Sequence, residues 1–152
     1  MKKVFILLFL TSFSSFSCKK NSNSLGHINI TLYDKPLSII QYYVQGKWRL
    51  HYTKGGICST CKSDREIYNE YYEFSPNDRI RYTFQDTIIA DTVINWLRYK
   101  PGNYLDSVTV MEFYDKRLSP NYFEAAKIYN DTLILYIPDM FNPDAIAYYL
   151  TK

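Results

Sequence analysis

The stretch Tyr43–Leu50 (YVQGKWRL) decides the fold predicted for this chain. A short helix is expected just before it, with Asp34 as its cap and Pro36 in its first turn. One face of this helix carries apolar residues at the spacing i, i+3, i+7, namely Leu37, Ile40 and Val44. Gly46 ends the helix and lets the chain turn sharply into a strand that contains Trp48. The stretch therefore predicts a helix that packs against the start of a β-structure.

The rest of the chain has the pattern of consecutive β-strands. The clearest strand is Arg79–Gln85 (RIRYTFQ), in which apolar and aromatic residues alternate with polar ones. Eight strands are predicted, at residues 47–54, 65–74, 79–85, 91–100, 107–114, 121–129, 132–137 and 145–151. The connections are of hairpin length and hold no helix long enough for a parallel crossover, so the strands should form an antiparallel meander.

Eight strands are the number that closes into a small barrel without open edges. We therefore predict an all-β fold, an eight-stranded antiparallel up-and-down barrel with a short N-terminal helix closing one end. A sandwich of two sheets is the competing arrangement. The 16 tyrosines suit a barrel wall, because a half-buried strand lets the ring pack while the hydroxyl reaches water or a partner.

The alternation of the strands also predicts which side chains point into the barrel. If Trp48 points inward, then Leu50 and Tyr52 on the same strand do so too. On the clearest strand the inward residues are Ile80, Tyr82 and Phe84. These residues are the candidates for contact with a ligand. Their bulk predicts a mostly filled interior with a shallow opening.

The N-terminus has the layout of an export signal. Met1–Lys3 is basic, and the apolar run Val4–Leu10 is too short to span a membrane. The end of this region, Ser15–Cys18 (SFSC), resembles the lipobox of bacterial lipoproteins, in which the cysteine accepts the lipid. Cys18 is therefore the predicted lipidation site, and two or more acyl chains would anchor it stably. Plain secretion with Cys18 unmodified is the alternative.

This interpretation divides the chain into three segments: residues 1–17 as the signal peptide, 18–27 as the lipidated cysteine and a polar tether, and 28–152 as the barrel domain. Lys19 follows the cysteine, and it is not the Asp that signals retention in the inner membrane. An acidic cluster of the kind that resembles a surface-export tag is also missing after Cys18. We expect an anchor in the outer membrane that faces the periplasm, with surface display left open.

The charge balance gives no indication of a nucleic-acid partner. The chain has 18 basic and 15 acidic residues, which gives a formal net charge of +3. Loss of the signal peptide would remove two of the basic residues, Lys2 and Lys3. The sequence lacks a block of Lys and Arg interleaved with aromatic residues. The expected partners are the membrane, through the anchor, and a small hydrophobic ligand. We expect a monomer without a cofactor.

Cys58 and Cys61 form the one constellation with distinctive chemistry, on the connection after the first strand. In an oxidising compartment this pair is predicted to form a disulfide that staples the loop. A reactive redox pair would need a helix N-terminus to lower a thiol pKa. A zinc site would need two more ligands, and His51 is the only histidine nearby, so no metal site is predicted. The remaining alternative is that Cys58 and Cys61 are two free thiols.

Catalysis has little support in the sequence, and we expect no enzymatic activity. A Gly-x-Ser-x-Gly elbow, a phosphate-binding glycine loop and an HExxH motif are all missing from the sequence. Three carboxylates fall on the second predicted strand: Glu66, Glu70 and Glu73. They are expected to form ordinary cross-strand pairs with Arg79 and Arg81.

Gly46-Lys47-Trp48, placed after a short helix and at the start of the first strand, resembles the Gly-x-Trp signature of lipocalins. Together with Asn130–Tyr136 (NDTLILY), it makes residues 36–152 similar to the lipocalin-like domain lipoproteins of Gram-negative bacteria. The resemblance implies that Gly46 and Trp48 close one end of the barrel. The Arg that stacks on the Trp in lipocalins is missing after Arg117, which leaves Lys152 as a weaker replacement.

Two functions are compatible with these patterns. The first is a membrane-anchored lipocalin-like binding protein for a small apolar or aromatic-compatible ligand. The alternative is a periplasmic inhibitor or protein-interaction module that acts through the loop of Cys58 and Cys61.

Overall fold

The computed structural model describes residues 27–56, 58, 60–100, 107–137 and 145–152. The predicted signal peptide, Cys18 and the tether up to residue 26 lie outside the described residues. The described elements are β1 (Ile30–Thr31), α1 (Leu37–Val44), β2 (Gly46–Lys54), β3 (Lys62–Asp64), a 3₁₀ turn (Glu66–Tyr68), β4 (Glu70–Ser75), β5 (Arg79–Phe84), β6 (Thr87–Tyr99), β7 (Val108–Phe113), β8 (Tyr122–Tyr129), β9 (Thr132–Tyr136) and β10 (Ala147–Thr151).

Eight of the strands close into a barrel. From β4 to β10 each strand pairs antiparallel with the next, and β2 pairs with both β4 and β10, which completes the ring. The two short strands lie outside this ring, with β1 on β8 and β3 on β2. The predicted fold class, an all-β antiparallel up-and-down barrel with one short helix, is confirmed.

The barrel interior is filled with apolar and aromatic side chains. The largest of those that are almost fully buried include Trp48, Phe113 and Phe123, and the same cluster contains Ile80 and Leu50. Burial of each such side chain is worth about 1.5–3 kcal/mol before the entropy of ordering is subtracted. This core supplies the apolar burial that stabilises the ring of paired strands.

The helix α1 closes one end of the barrel, which we call the closed end. Of the predicted stripe, Ile40 and Val44 are buried in the core, whereas Leu37, in the first turn of the helix, is exposed. Asp78, in the turn between β4 and β5, fastens the helix to the barrel, because its Oδ1 accepts from Gln41 Nε2 and Trp96 Nε1, both at 2.8 Å. The predicted cap is wrong: the N-cap is Pro36, and it makes no side-chain hydrogen bond.

The passage from helix to barrel depends on Gly46, the first residue of β2. Its φ of 121° lies in the region that side-chain-bearing residues rarely adopt, so glycine lets the chain reverse directly from α1 into the strand. Two residues later Trp48 is 1% exposed, and its Nε1 donates to the Val44 carbonyl at 2.7 Å. Lys152 Nζ lies 4.8 Å from the centre of the indole ring, within range of a cation–π contact.

Two strand boundaries differ from the prediction by more than two residues. The strand predicted from residue 65 begins at Glu70, because residues 66–68 form a 3₁₀ turn that ends at Asn69 with a φ of 51°. The strand predicted from residue 91 begins at Thr87, because Gln85 and Asp86 both have positive φ and form a two-residue hairpin turn. Both differences lie at the end of the barrel opposite α1, which we call the open end.

Candidate functional site

A small pocket lies at the open end, between the loops and the filled core. Its volume is about 160 Å³, below the roughly 300 Å³ at which sites for drug-sized ligands begin. We call it the open-end pocket, and its lining consists of Leu50, Thr53, Arg65, Glu70, Tyr72, Tyr82, Ser119, Ile146 and Tyr148. The pocket combines aliphatic side chains and tyrosine rings with one ion pair, and it presents more polar than apolar surface.

A buried carboxylate stands at the base of this pocket. Glu70 is the first residue of β4 and is 2% exposed. Its Oε1 accepts from Arg65 Nη2 in a short ion pair, and its Oε2 accepts from the Tyr82 hydroxyl at 3.1 Å. A buried charge is costly unless such partners compensate it, so the pair and the hydroxyl act as one unit.

The chain folds locally to bring Arg65 over this carboxylate. Its backbone N–H donates to the His51 carbonyl at 2.9 Å, which attaches the 3₁₀ turn to β2. The guanidinium lies 4.8 Å from the centre of the Tyr68 ring. Within the described part of the chain, Arg65 Nε is buried and has no hydrogen-bond partner. Arg65 thus lines the pocket while its Nη2 is bound to Glu70.

Three tyrosines form the aromatic wall around the carboxylate. The ring of Tyr72 lies 4.9 Å from that of Tyr82 and 6.5 Å from that of Tyr148, centre to centre. Burial, and then the negative charge of Glu70, raise the pKa of Tyr82. Burial also raises the pKa of Tyr72 and of Tyr148. The three phenols are therefore neutral hydrogen-bond donors at physiological pH.

The structure brings together some of the predicted inward residues but not all. Leu50 and Tyr82 line the open-end pocket, whereas Ile80 is fully buried deeper in the core. Phe84 shares the inward side of β5 with them, is half-buried, and packs against Tyr68 with ring centres 6.0 Å apart. The ligand-contact candidates therefore separate into pocket, core and rim positions.

The inward position predicted for Tyr52 is wrong. A bulge in the pairing of β2 with β10 leaves His51 without a partner, because Tyr149 pairs with Tyr52 and the next residue, Leu150, with Leu50. One extra residue reverses the alternation beyond it. Tyr52 consequently stacks on Tyr149 at 4.2 Å in a cluster outside the barrel. Thr53 takes the inward position and lines the open-end pocket.

The other carboxylates of the second predicted strand form surface pairs. Glu73 pairs with Arg81 at 3.3 Å, as expected across β4 and β5. Arg79 instead binds Asp91, with 2.6 Å from its Nη2 to Oδ1. Glu66 lies in the 3₁₀ turn and contacts His51. Glu70 faces the opposite side of β4 and pairs with neither predicted arginine.

The predicted disulfide between Cys58 and Cys61 is confirmed. It closes a tight turn at the open end, where the Cys61 N–H donates to the Cys58 carbonyl at 3.0 Å and Gly55 N donates to the Cys61 carbonyl at 3.2 Å. Among the described residues, no group of three or more His, Cys, Asp or Glu side chains could hold a metal ion. No helix of the described part is long and apolar enough to cross a bilayer.

The sequence identified only Leu50 and Tyr82 among the pocket residues, and it missed the ion pair of Arg65 and Glu70 and the two further tyrosines, Tyr72 and Tyr148. The sequence did contain a signal for Glu70. Glu70, Tyr72 and Phe74 alternate along β4 and therefore lie on the same side of the strand, which is the inward side once β4 is part of a barrel. Arg65 carried no such signal, since it reaches the pocket from a turn rather than from a strand.

The chain was compared with protein-family models, curated proteins and solved structures. No family model matches the chain, and no curated protein or solved structure matches it either.

Proposed function

We propose that this chain is a lipid-anchored, lipocalin-like binding protein that takes a small aromatic-compatible molecule in its open-end pocket. The observation that carries the proposal is the pairing of a buried carboxylate, Glu70, with the partly exposed Arg65 beside a wall of tyrosines. A barrel whose only task is to be stable would fill this position with apolar side chains, because a buried ion pair is often no more stable than an apolar replacement.

The arginine in the pocket lining narrows the ligand class. Arg65 lines the pocket, and a guanidinium carries N–H donors and no acceptor, so it favours a ligand oxygen. Glu70 already accepts two hydrogen bonds, so it offers little to a ligand cation. We infer a small molecule with an aromatic or apolar body and an acceptor oxygen, such as a carboxylate or a carbonyl.

Membrane attachment completes the proposal. Cys18 receives the lipid after removal of residues 1–17, and the barrel is held at the periplasmic face of the outer membrane. This part is supported by the basic start, the apolar run and the SFSC sequence at Ser15–Cys18. The lipocalin-like classification is supported by the Gly46–Trp48 signature at the closed end of an eight-stranded barrel.

Tyrosine-selective NMR tests ligand binding. Protein with ¹³C-labelled tyrosine is titrated with benzoate, benzyl alcohol and benzylamine, which share a ring but differ in the polar group. We expect benzoate to move the signals of Tyr72, Tyr82 and Tyr148 at the lowest concentration, and benzylamine at the highest. An absence of shifts at these three tyrosines with all three probes would contradict the proposed pocket.

A protein-interaction role is the second candidate, and the exposure of the stapled loop favours it. Cys58 and Cys61 are both exposed, and Ile67 in the adjoining 3₁₀ turn presents its apolar side chain to solvent. A disulfide restricts the conformations of the loop, which lowers the entropic cost of ordering it on a partner protein.

A pull-down from periplasmic extract separates this candidate from the first. The bait is the wild-type protein, with Ile67→Ser and the pair Cys58→Ser/Cys61→Ser as loop variants. Val93→Ser, on an exposed part of the barrel wall, is the matched control. If both loop variants retain the wild-type partners, the interaction role is lost.

A further inference from the structure

The described chain starts at the closed end of the barrel. His27 Nδ1 lies 2.9 Å from Asp131 Oδ2, and the Ile28 N–H donates to Asp131 Oδ1 at 3.0 Å. The Asn130 N–H donates in turn to Asn29 Oδ1 at 2.9 Å. Asn130 and Asp131 form the turn between β8 and β9, which lies at the same end as α1. Residues 27–29 are therefore fastened to the closed end.

Helix α1 presents apolar side chains on both of its sides. The side with Ile40 and Val44 is buried in the barrel. The opposite side carries Ile39 and Tyr42, which are exposed, and Tyr42 is 71% exposed. A surface helix ordinarily turns polar residues to water, so an apolar outer side indicates a second contact.

A groove beside the helix extends this surface. Its volume is about 440 Å³, and Ile28, Tyr42, Trp48 and Lys152 are among the residues that line it. We call it the closed-end groove. The Asp131 carboxylate also lines the groove, and it is already bound by His27 and the Ile28 N–H. Tyrosine rings and a lysine ammonium are favourable in the headgroup region of a bilayer, where a ring sits at the boundary and a cation stays hydrated.

We propose that the outer side of α1 and the closed-end groove dock on the lipid surface that carries the protein, so that the open-end pocket faces away from the membrane. The proposal rests on the lipid anchor of the proposed function. The tether from Cys18 joins the barrel at Ile28, and its nine residues reach at most about 30 Å. An anchor this short keeps the closed end at a high local concentration near lipid, so a small apolar surface suffices for docking.

Two variants, each with a single nitroxide label, test the orientation of the barrel relative to the membrane. Ser38→Cys places the label on the exposed side of α1, and Thr87→Cys places it at the exposed start of β6 at the open end. The lipidated protein is purified and reconstituted in vesicles of phosphatidylethanolamine and phosphatidylglycerol. Oxygen, which concentrates in lipid, and a water-soluble nickel complex are then compared as relaxation agents. Wild-type protein carried through the same labelling is the control for background signal.

We expect oxygen to dominate at Ser38→Cys and the nickel complex to dominate at Thr87→Cys. A label at residue 38 that is more accessible to nickel, in protein that floats with the vesicles, would overturn the docking and leave the anchor intact. Low accessibility to both agents at residue 38 would mean that protein covers the helix, a second copy or the tether, and would also overturn it. Protein that stays soluble and lacks acyl mass would overturn the anchor, and the docking with it.

A second substitution tests whether the apolar side chain itself is responsible. Tyr42→Asp in the Ser38→Cys background should shift the label towards the nickel complex. Tyr114→Asp is the matched control, because Tyr114 is 75% exposed at the open end, and it should leave the label unchanged. Equal effects of the two substitutions would contradict the assignment of the docking side.

Discussion

The two ends of this barrel satisfy their polar groups in different ways. At the closed end Trp48 is packed between the Val44 carbonyl and the Lys152 side chain, and the nearby Asp78 is bound by neighbouring side chains. At the open end a carboxylate, Glu70, is held inside the barrel by one arginine and one tyrosine. The contacts at the closed end are those expected of a well-packed core. At the open end, a charged side chain occupies a position that an apolar residue would fill in a core built for stability. Such departures concentrate at functional sites.

The largest expected effect lies at the closed end. Trp48→Ala removes a fully buried indole and leaves a cavity, so we expect a loss of about 3–5 kcal/mol in the free energy of unfolding. Lys152→Met, which removes the cation above the same ring, should cost less than about 1 kcal/mol. Urea denaturation measures both. A similar loss for the two variants would show that the stacked cation, rather than the packed ring, holds the closed end.

The open-end ion pair should give the next largest effect. Arg65→Met leaves the Glu70 carboxylate buried beside a single hydroxyl. Loss of one partner of a buried pair costs about 3–5 kcal/mol, and the 34% exposure of the Arg65 side chain lowers our expectation to about 2–3 kcal/mol.

The matched control for this ion pair is Arg81→Met on the barrel wall. Arg81 pairs with Glu73 and Asp91 in water, and such pairs are worth less than about 1 kcal/mol. Equal losses for Arg65→Met and Arg81→Met in urea would mean that the open-end pair is an ordinary surface contact.

The smallest expected effect concerns alkaline pH. Because the folded state raises the pKa of Tyr82 above the ordinary 10.0, folding disfavours the phenolate. Stability is therefore complete below pH 10 and falls as the pH rises above it. Tyr82→Phe should make this decline less steep, and at pH 7 it should cost about 1 kcal/mol for the lost hydrogen bond to Glu70. An unchanged alkaline slope would contradict the position of this phenol in the site.

The fold was predictable because its signals are local and repeated. Period-two alternation in β5, the turn residues Asn130 and Asp131, and the Gly46–Trp48 step each indicate the same barrel. The register was not predictable, because the bulge at His51 has no signal of its own and reverses the side to which Tyr52 points. Alternation predicts which residues point into the barrel only as far along a strand as its next bulge.

The candidate site was predictable only in its strand residues. Leu50 and Tyr82 follow from alternation, and Glu70 follows once β4 is placed in the barrel. Arg65 could not be placed, since its contact with Glu70 depends on a 3₁₀ turn that ends at a positive φ. Pairing between turns and strands is long-range information that periodicity does not contain.

Native mass spectrometry of protein purified from its own cells measures whether a small molecule is bound at the open end. One blocking variant at each end of the barrel locates the site. Ser119→Trp adds a bulky ring at the rim of the open-end pocket, and Tyr42→Trp enlarges a residue of the closed-end groove. We predict a bound small molecule in the wild-type protein and in Tyr42→Trp, and its loss in Ser119→Trp. A wild-type protein without any bound molecule, or a molecule lost from Tyr42→Trp and kept by Ser119→Trp, would contradict a binding site at the open end.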